Sequence, residues 1–259
     1  FGSASYHPRY WHWLLITPAI FLKNYAMKEI PVRKASKAIT LVSPTLEPHM
    51  KLFAKGKVKV IPNGVFVPKE YLTKSEDDII QIISIGRVVR QKGIQHAINA
   101  IANLPPEIQN KVHLNIVGEG DYHATLEKLT IQNNLQKMVT FHGKVIGKPL
   151  QDIYQQCQIH LMPTTSHEGL PLTILEGMAF GLTTIASKIG GIPSAITDGV
   201  NGFLIKPGNV QELTQKLKSL IEKPQKISAI GDAARTSVVN HYSEEIMIGR
   251  TLTVLNSVV

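Results

Sequence analysis

The sequence predicts an α/β chain organised around a doubly wound parallel sheet. Two observations carry the prediction. From about residue 79 onward, short apolar runs alternate strictly with amphipathic segments, and the runs are of strand length while the segments between them have helical period. The runs at 82–86, 112–117, 139–142, 159–162, 184–187 and 202–205 read as six buried strands. Between the first two, Ile94, Ala97, Ile98 and Ile101 recur at helical spacing, and further helices are expected at 122–133, 150–157, 172–180 and 210–222. Asn209 and Glu212 stand like a capping box at the start of the last of these. Such alternation implies a parallel sheet covered on both faces, in a domain of about 180 residues.

Upstream, residues 37–43 (KAITLVS) and 58–61 look like two further strands, separated by 44–55 with a short helical segment. Pro62-Asn63-Gly64 is turn chemistry, and a weakly patterned charged stretch follows from 68 to 78, so a domain junction is expected near residue 64. The final segment, 243–259, carries Ile246, Ile248, Leu252 and Leu255 at roughly helical spacing and is expected to pack beyond the main sheet. With Phe1 opening the chain in place of Met, the expectation is the downstream part of something longer.

Charge separates the two parts. The chain carries a net +9, of which residues 1–60 hold +8 and residues 61–259 only +1. A basic first quarter suits an anionic membrane surface or a phosphorylated ligand, or is simply a solvated face. Nucleic acid is a poor partner, because Lys51, Lys55, Lys57 and Lys59 have no interleaved aromatics and no nucleic-acid module is present. Residues 11–22 (WHWLLITPAIFL) are the most apolar window. They contain Pro18, fall short of the roughly 20 residues that span a bilayer, and have their lysines on the wrong side for a secretory signal. The tryptophans beside basic residues suit a membrane interface or packing against protein. A single cysteine, Cys157, cannot form an internal disulfide, which fits a reducing cytosol and a buried structural thiol.

The chemistry concentrates in residues 166–181 (SHEGLPLTILEGMAFG), where Glu168 and Glu176 lie eight positions apart around the start of a predicted helix. Pro171 suits the first helical turn and Gly181 its end. Free amides at Leu172 and Thr173 can face a phosphate. Ligands of doubly wound sheets bind where strands lead into helices, and three loops fall there: 86–93, 118–120 and 163–170. In the first, Arg87 and Lys92 offer a guanidinium fork and a point charge to a diphosphate, with Gly86 and Gly93 on either side; the alternative is a pair of surface cations. Gly118-Glu119-Gly120 is not a dinucleotide fingerprint, since His123 stands where the third glycine is needed. Gly190-Gly191 is a loop over the ligand or a plain turn. Of ten histidines none forms a convincing metal pair, so no metal is expected. His167 is placed in the pocket, while His113, His142 and His160 read as satisfied core or edge residues.

The segments VIPNGV (60–65), ISIGRVVRQKG (83–93), NIVGEGD (115–121), FHGKV (141–145) and 167–209, in this order and spacing, resemble the retaining family 4 glycosyltransferases of the GT-B fold. The most specific element is the E-x7-E pattern of Glu168 and Glu176. The resemblance implies a Rossmann-like donor-binding domain plus a remnant of a second α/β domain: 1–64 the end of an N-terminal acceptor domain, 65–242 the donor-binding domain, and 243–259 a helix crossing back. It implies transfer of a hexose from a nucleotide-diphosphate sugar, UDP or GDP, to a glycan or lipid-linked acceptor with retention of configuration. Arg87 and Lys92 would hold the diphosphate, Glu168 the sugar hydroxyls and Glu176 the ribose. Gly169, Leu170, Leu172 and Thr173 would offer backbone groups, and Val145 would lie near the base. Glu168, Arg87 and Lys92 form the implied catalytic set, with neither cofactor nor metal. Leu182-Thr183 departs from the usual Pro-containing sequence after the helix, and most of the acceptor domain is missing from the pattern. The expected location is cytoplasmic, free or peripheral at the inner face of the membrane. The competing readings are a non-catalytic nucleotide-sugar module and a different doubly wound enzyme such as an epimerase or dehydrogenase.

Overall fold

Isoleucines in succession cannot all face one side of a pleated strand, so the segment IQIISI calls for burial on both faces. In the computed structural model, which describes residues 36–53, 57–69 and 79–258, this segment is a central strand with Ile82 and Ile83 both fully buried. The strands are β1 (Ile39–Leu41), β2 (Val58–Val60), β3 (Ile80–Ile85), β4 (Val112–Val117), β5 (Val139–Gly143), β6 (Ile159–Met162), β7 (Thr183–Ser187) and β8 (Phe203–Ile205). The last six form one sheet in the order β5-β4-β3-β6-β7-β8, parallel throughout. The order reverses between β3 and β6. The crevice beyond their carboxyl ends is where such sheets open to ligands.

The helices are α1 (Glu47–Phe53), α2 (Ile94–Ala102), α3 (Pro106–Gln109), α4 (His123–Gln132), α5 (Lys148–Gln156), α6 (Leu172–Ala179), α7 (Val210–Ile221), α8 (Pro224–His241) and α9 (Glu244–Asn256). One face of the sheet packs Ile82, Leu114, Ile116, Ile159, Leu161 and Ile185 against Ile98, Leu126, Leu213 and Leu217 of α2, α4 and α7. The other face is covered by α5, α6 and α8, through Tyr154, Ile174, Met178, Ala234 and Val238. The capping box of α7 closes by half: Glu212 N donates to Asn209 Oδ1 at 3.1 Å, but Glu212 Oε2 receives Lys206 N at 2.9 Å in place of the backbone N–H of Asn209, which bonds Lys206 O.

Helix α8 is absent from the elements that the sequence periodicity predicts. Its buried positions are Ile227, Ile230, Gly231, Ala234 and Val238, a helical stripe narrowed in its middle by two small residues. The smallness has a reason in packing, since a Cβ at Gly231 would stand 2.1 Å from the carbonyl oxygen of Gly181. Arg235 of α8 then reaches the carbonyls of Ala179 and Pro68, at 2.5 and 2.6 Å.

β1 and β2 form a separate parallel pair, Ile39 against Val58 to Leu41 against Val60, with a 3-10 turn (Pro44–Leu46) and α1 between them. The chain crosses between the two sheets beside its own later crossing: Val65 N bonds Tyr242 O at 2.9 Å and Glu244 N bonds Val65 O at 3.2 Å. Ser43 and Thr45 lean on the turn after β7, Thr45 Oγ1 donating to Gly190 O at 3.2 Å. α9 starts from a Ser243 cap and buries no residue against the described chain. No helix among the described residues is long and apolar enough to cross a membrane. The apolar window at 11–22 and most of the basic first quarter lie outside the described residues.

Candidate functional site

Four loops at the carboxyl end of the sheet lock into one another through backbone contacts that leave no room for side chains. The loop after β3 is tied to the loop after β4 by Val88 N to Glu119 O at 2.8 Å and Tyr122 N to Val88 O at 3.1 Å. Gly118-Glu119-Gly120 is therefore a packing motif: Cβ atoms there would stand 1.8 and 2.2 Å from the carbonyl oxygens of Gly86 and Val88. The loop after β3 also joins the loop after β6, Thr165 N to Gln91 O at 2.9 Å, with Thr164 Oγ1 on the same carbonyl at 2.9 Å. Gly190-Gly191 proves to be the back wall of the 163–170 loop. Gly191 N bonds Glu168 O at 2.9 Å, and a Cβ at Gly190, whose φ is +59°, would lie 2.0 Å from that same oxygen. Glu168 is thus held by its backbone from one side and, as follows, by its side chain from the other.

Lys92, from the short 3-10 turn Arg90–Lys92 after β3, places Nζ 2.8 Å from Oε1 of Glu168. Both side chains are mostly withdrawn from water, 18% and 14% exposed, so the pair is screened far less than a surface ion pair. Ser166 donates to the same oxygen at 3.4 Å, and Thr164 Oγ1, whose closer partner is Gln91 O, lies 3.2 Å from it. Oε2 of Glu168 has no partner among the described residues. Arg87 stands exposed on the same loop and its side chain makes no ion pair with a described residue.

Glu176, a turn and a half inside α6, receives the hydroxyl of Tyr154 on Oε2 at 3.0 Å. Tyr154 comes from α5, is 2% exposed, and stacks on Phe180 with ring centroids 5.3 Å apart. Burial, then the Glu176 carboxylate, push its phenol well above the ordinary value, so it remains a donor throughout the neutral range. Glu176 and Tyr154 line a cleft of about 310 Å³ with Phe66, Gly147, Leu150, Gln151 and Leu172. That volume lies at the small end of ligand sites.

The remaining sequence-predicted positions divide by what they expose. Gly169 and Leu172 are open to solvent, Leu170 is buried in the core under α6, and Thr173 is half-buried with Oγ1 3.9 Å from Met162 Sδ. No side chain caps α6, and the amides of Leu172 and Thr173 have no bonded partner among the described residues. Val145 packs against the cluster of Ile83, Val117 and Tyr154 and is not among the residues that line the cleft with Glu176. His167 is exposed. Tyr154, Phe66 and the Thr164–Ser166 pair escape the sequence reading. Only the two hydroxyls, four and two positions before Glu168, left a signal there.

Two of the three strand histidines are satisfied as expected: His113 Nε2 meets Thr140 Oγ1 and His142 Nε2 meets Asn115 Oδ1, both at 2.8 Å. His160 differs. Both its ring nitrogens are buried without a partner among the described residues, and burial drops its pKa to about 4. Gly177 of α6 lies over the ring, where a Cβ would stand 3.0 Å from Nδ1.

The chain is similar to known proteins in sequence and in fold. A sulfoquinovosyl transferase of Arabidopsis thaliana is 28% identical over 241 residues, covering 89% of this chain and 45% of its own length. An α-(1→4)-mannosyltransferase of Mycolicibacterium hassiacum is 26% identical over 235 residues, 88% of this chain and 56% of its own. The chain spans about half the length of such curated relatives. In fold it is similar to Anabaena HepE, solved with UDP, at a TM-score of 0.76 and 23% identity over 87% of this chain and 65% of that one. A sucrose-phosphate synthase from Thermosynechococcus elongatus superposes at 0.77 with 22% identity, over 92% of this chain and 63% of that one. The sequence matches the family of glycosyl transferases group 1 over residues 69–237, well over half of the 259. The chain belongs to that glycosyltransferase family, and its six-stranded sheet is the Rossmann-like domain of a GT-B fold.

Proposed function

We propose that the protein transfers a hexose from a nucleotide-diphosphate sugar to a glycan or lipid-linked acceptor with retention of configuration, and that the crevice between β3 and β6 is its donor site. The observations that carry the reading are the Lys92–Glu168 pair, which joins the loops after β3 and β6, and the uncapped start of α6, whose Leu172 and Glu176 line a cleft. Lys92 and Arg87 take the diphosphate, together with the amides of Leu172 and Thr173 at the positive end of α6. Glu176 accepts hydrogen bonds from the ribose. Glu168, with the backbone of Gly169 and Leu170, holds hydroxyls of the sugar, and Val145 marks the direction of the base.

In this reading the bond that breaks joins the anomeric carbon to the diphosphate oxygen, and negative charge grows on that oxygen. Two cations, Arg87 and Lys92, and the amides at the start of α6 stabilise it there. The acceptor hydroxyl approaches from the side the diphosphate leaves; its oxygen bonds the anomeric carbon while its proton passes to the departing diphosphate oxygen, so no protein nucleophile and no resident metal or cofactor is invoked. UDP is the preferred nucleotide, because HepE was solved with UDP and with UDP-glucose; GDP remains the competing base. The +8 charge of residues 1–60 suits an acceptor presented at an anionic membrane surface on the cytoplasmic side.

Calorimetric titration of the protein with UDP, GDP, ADP and NAD, repeated on Glu176→Ala, tests the site. The expected result is one nucleoside diphosphate bound and lost in the variant. Tight NAD binding, or diphosphate binding indifferent to Glu176, would remove the reading. Release of UDP from UDP-glucose in the presence of acceptor lipid separates a transferase from a module that only binds.

A further inference from the structure

The geometry points to Tyr154 as a positioning residue for donor binding, a strut between α5 and α6 that turns the Glu176 carboxylate so that one oxygen is held and the other is free for the ribose. The inference rests on the donor-site reading above. Nothing in the E-x7-E pattern contains Tyr154, which lies on a different helix, 22 residues upstream of Glu176.

The argument is one of rotamers and partners. A glutamate on the first turns of a helix has three rotatable bonds, and its carboxylate in an open cleft would sample several orientations. Here Oε2 is fixed by the Tyr154 hydroxyl at 3.0 Å, and Oε1 has no partner among the described residues. Tyr154 cannot itself swing away, because it is 2% exposed and its ring is stacked against Phe180 at an interplanar angle of 13°. The hydroxyl has one proton, and an acceptor-only carboxylate is its natural recipient. The same helix α5 brings Leu150 and Gln151 to the cleft, so the hydrogen bond also sets the separation of the two walls between which a nucleoside would lie.

The test is Tyr154→Phe, which deletes one oxygen and keeps the stacked ring. Titrations are made with UDP, with 2′,3′-dideoxyuridine diphosphate and with pyrophosphate. UDP affinity is expected to fall about tenfold, the scale of one hydrogen bond to a charged group, while the two ligands without ribose hydroxyls bind the variant as they bind the parent protein. In a Glu176→Gln background the tyrosine substitution is expected to add little further loss of UDP. A uniform loss for all three ligands, or a variant that no longer melts cooperatively, would make the hydroxyl a purely structural contact and overturn the inference. So would unchanged UDP binding by Tyr154→Phe alongside lost binding by Glu176→Ala, an outcome that leaves the donor site intact. If Glu176→Ala also bound UDP normally, the donor-site reading itself would fall.

Discussion

Lys92 Nζ lies 2.8 Å from Glu168 Oε1, joining the loop after β3 to the loop after β6 across the point where the strand order reverses. In the free protein each charge compensates the other in a half-buried setting, where an unpaired ion is costly. A diphosphate arriving beside Lys92 competes for the ammonium, and Glu168 would turn toward sugar hydroxyls. Ser166, already bonded to the same carboxylate oxygen, stays with it during the exchange.

Lys92→Ala and Arg87→Ala should therefore part company. Each is expected to weaken nucleoside diphosphate binding by about 1–3 kcal/mol, the range for a hydrogen bond to an ionised group. Only Lys92→Ala should also lower the melting temperature, because it strips the partner from Glu168, whereas Arg87 is exposed and makes no ion pair among the described residues. Calorimetry and thermal melts on both variants make the comparison, and an equal stability loss would contradict it.

The Gly190 position should be intolerant. A methyl group there meets Glu168 O at 2.0 Å from a left-handed backbone, and nothing flexible can move aside. Gly190→Ala is expected to cost about 2–4 kcal/mol of stability and to weaken donor binding as well, since the displaced atom belongs to Glu168. Denaturant titration against the parent protein measures the first effect. A variant of parental stability would mean that the loops do not interlock as described.

Stability should fall in mild acid through His160. Unfolded, its imidazole takes up a proton near the ordinary value of 6.5; folded, burial delays this to about pH 4. Between those values the unfolded chain binds the additional proton, so this contribution is complete above pH 6.5 and is lost as the pH drops toward 4, by roughly 3 kcal/mol across the window. His96, His113 and His142, lowered mainly by burial, add slope of the same sign. Urea midpoints from pH 7.5 to 4.5 should show the slope reduced in His160→Val, and an unchanged slope would assign it to other groups.

Gly177 and His160 should be energetically coupled. Alanine in a helix is favoured over glycine by about 1 kcal/mol, but at this position its Cβ stands 3.0 Å from His160 Nδ1 in a fully buried setting. Gly177→Ala is expected to destabilise the parent protein and to stabilise a His160→Val variant. Additive effects in this double-mutant cycle would show that the ring gives way freely.

How far the sequence speaks depends on the range of the interaction. The six strands were legible because β3 to β8 are apolar runs whose burial is a local composition signal, and the short helices between them carry Ile and Leu at helical spacing. α8 was missed although Ile227, Ile230, Ala234 and Val238 stand at helical spacing; its apolar stripe is narrow, and at Gly231 close approach replaces bulk. Gly118-Glu119-Gly120 and Gly190-Gly191 were visible as glycine pairs, but their purpose depends on carbonyls elsewhere in the chain.

By itself, then, the sequence determined the alternation of strand and helix, the parallel sheet and the place of Arg87, Lys92, Glu168 and Glu176 in loops or first turns after strands. Those are consequences of period, turn chemistry and residue type, all readable within a dozen residues. The tertiary structure alone decided that Lys92 pairs with Glu168 across 76 residues, that the Tyr154 hydroxyl bonds Glu176, and that His160 is buried without a partner among the described residues. Each depends on the strand order β5-β4-β3-β6-β7-β8, which brings distant loops and helices within hydrogen-bond reach, and on buried polar groups whose partners no local pattern can name.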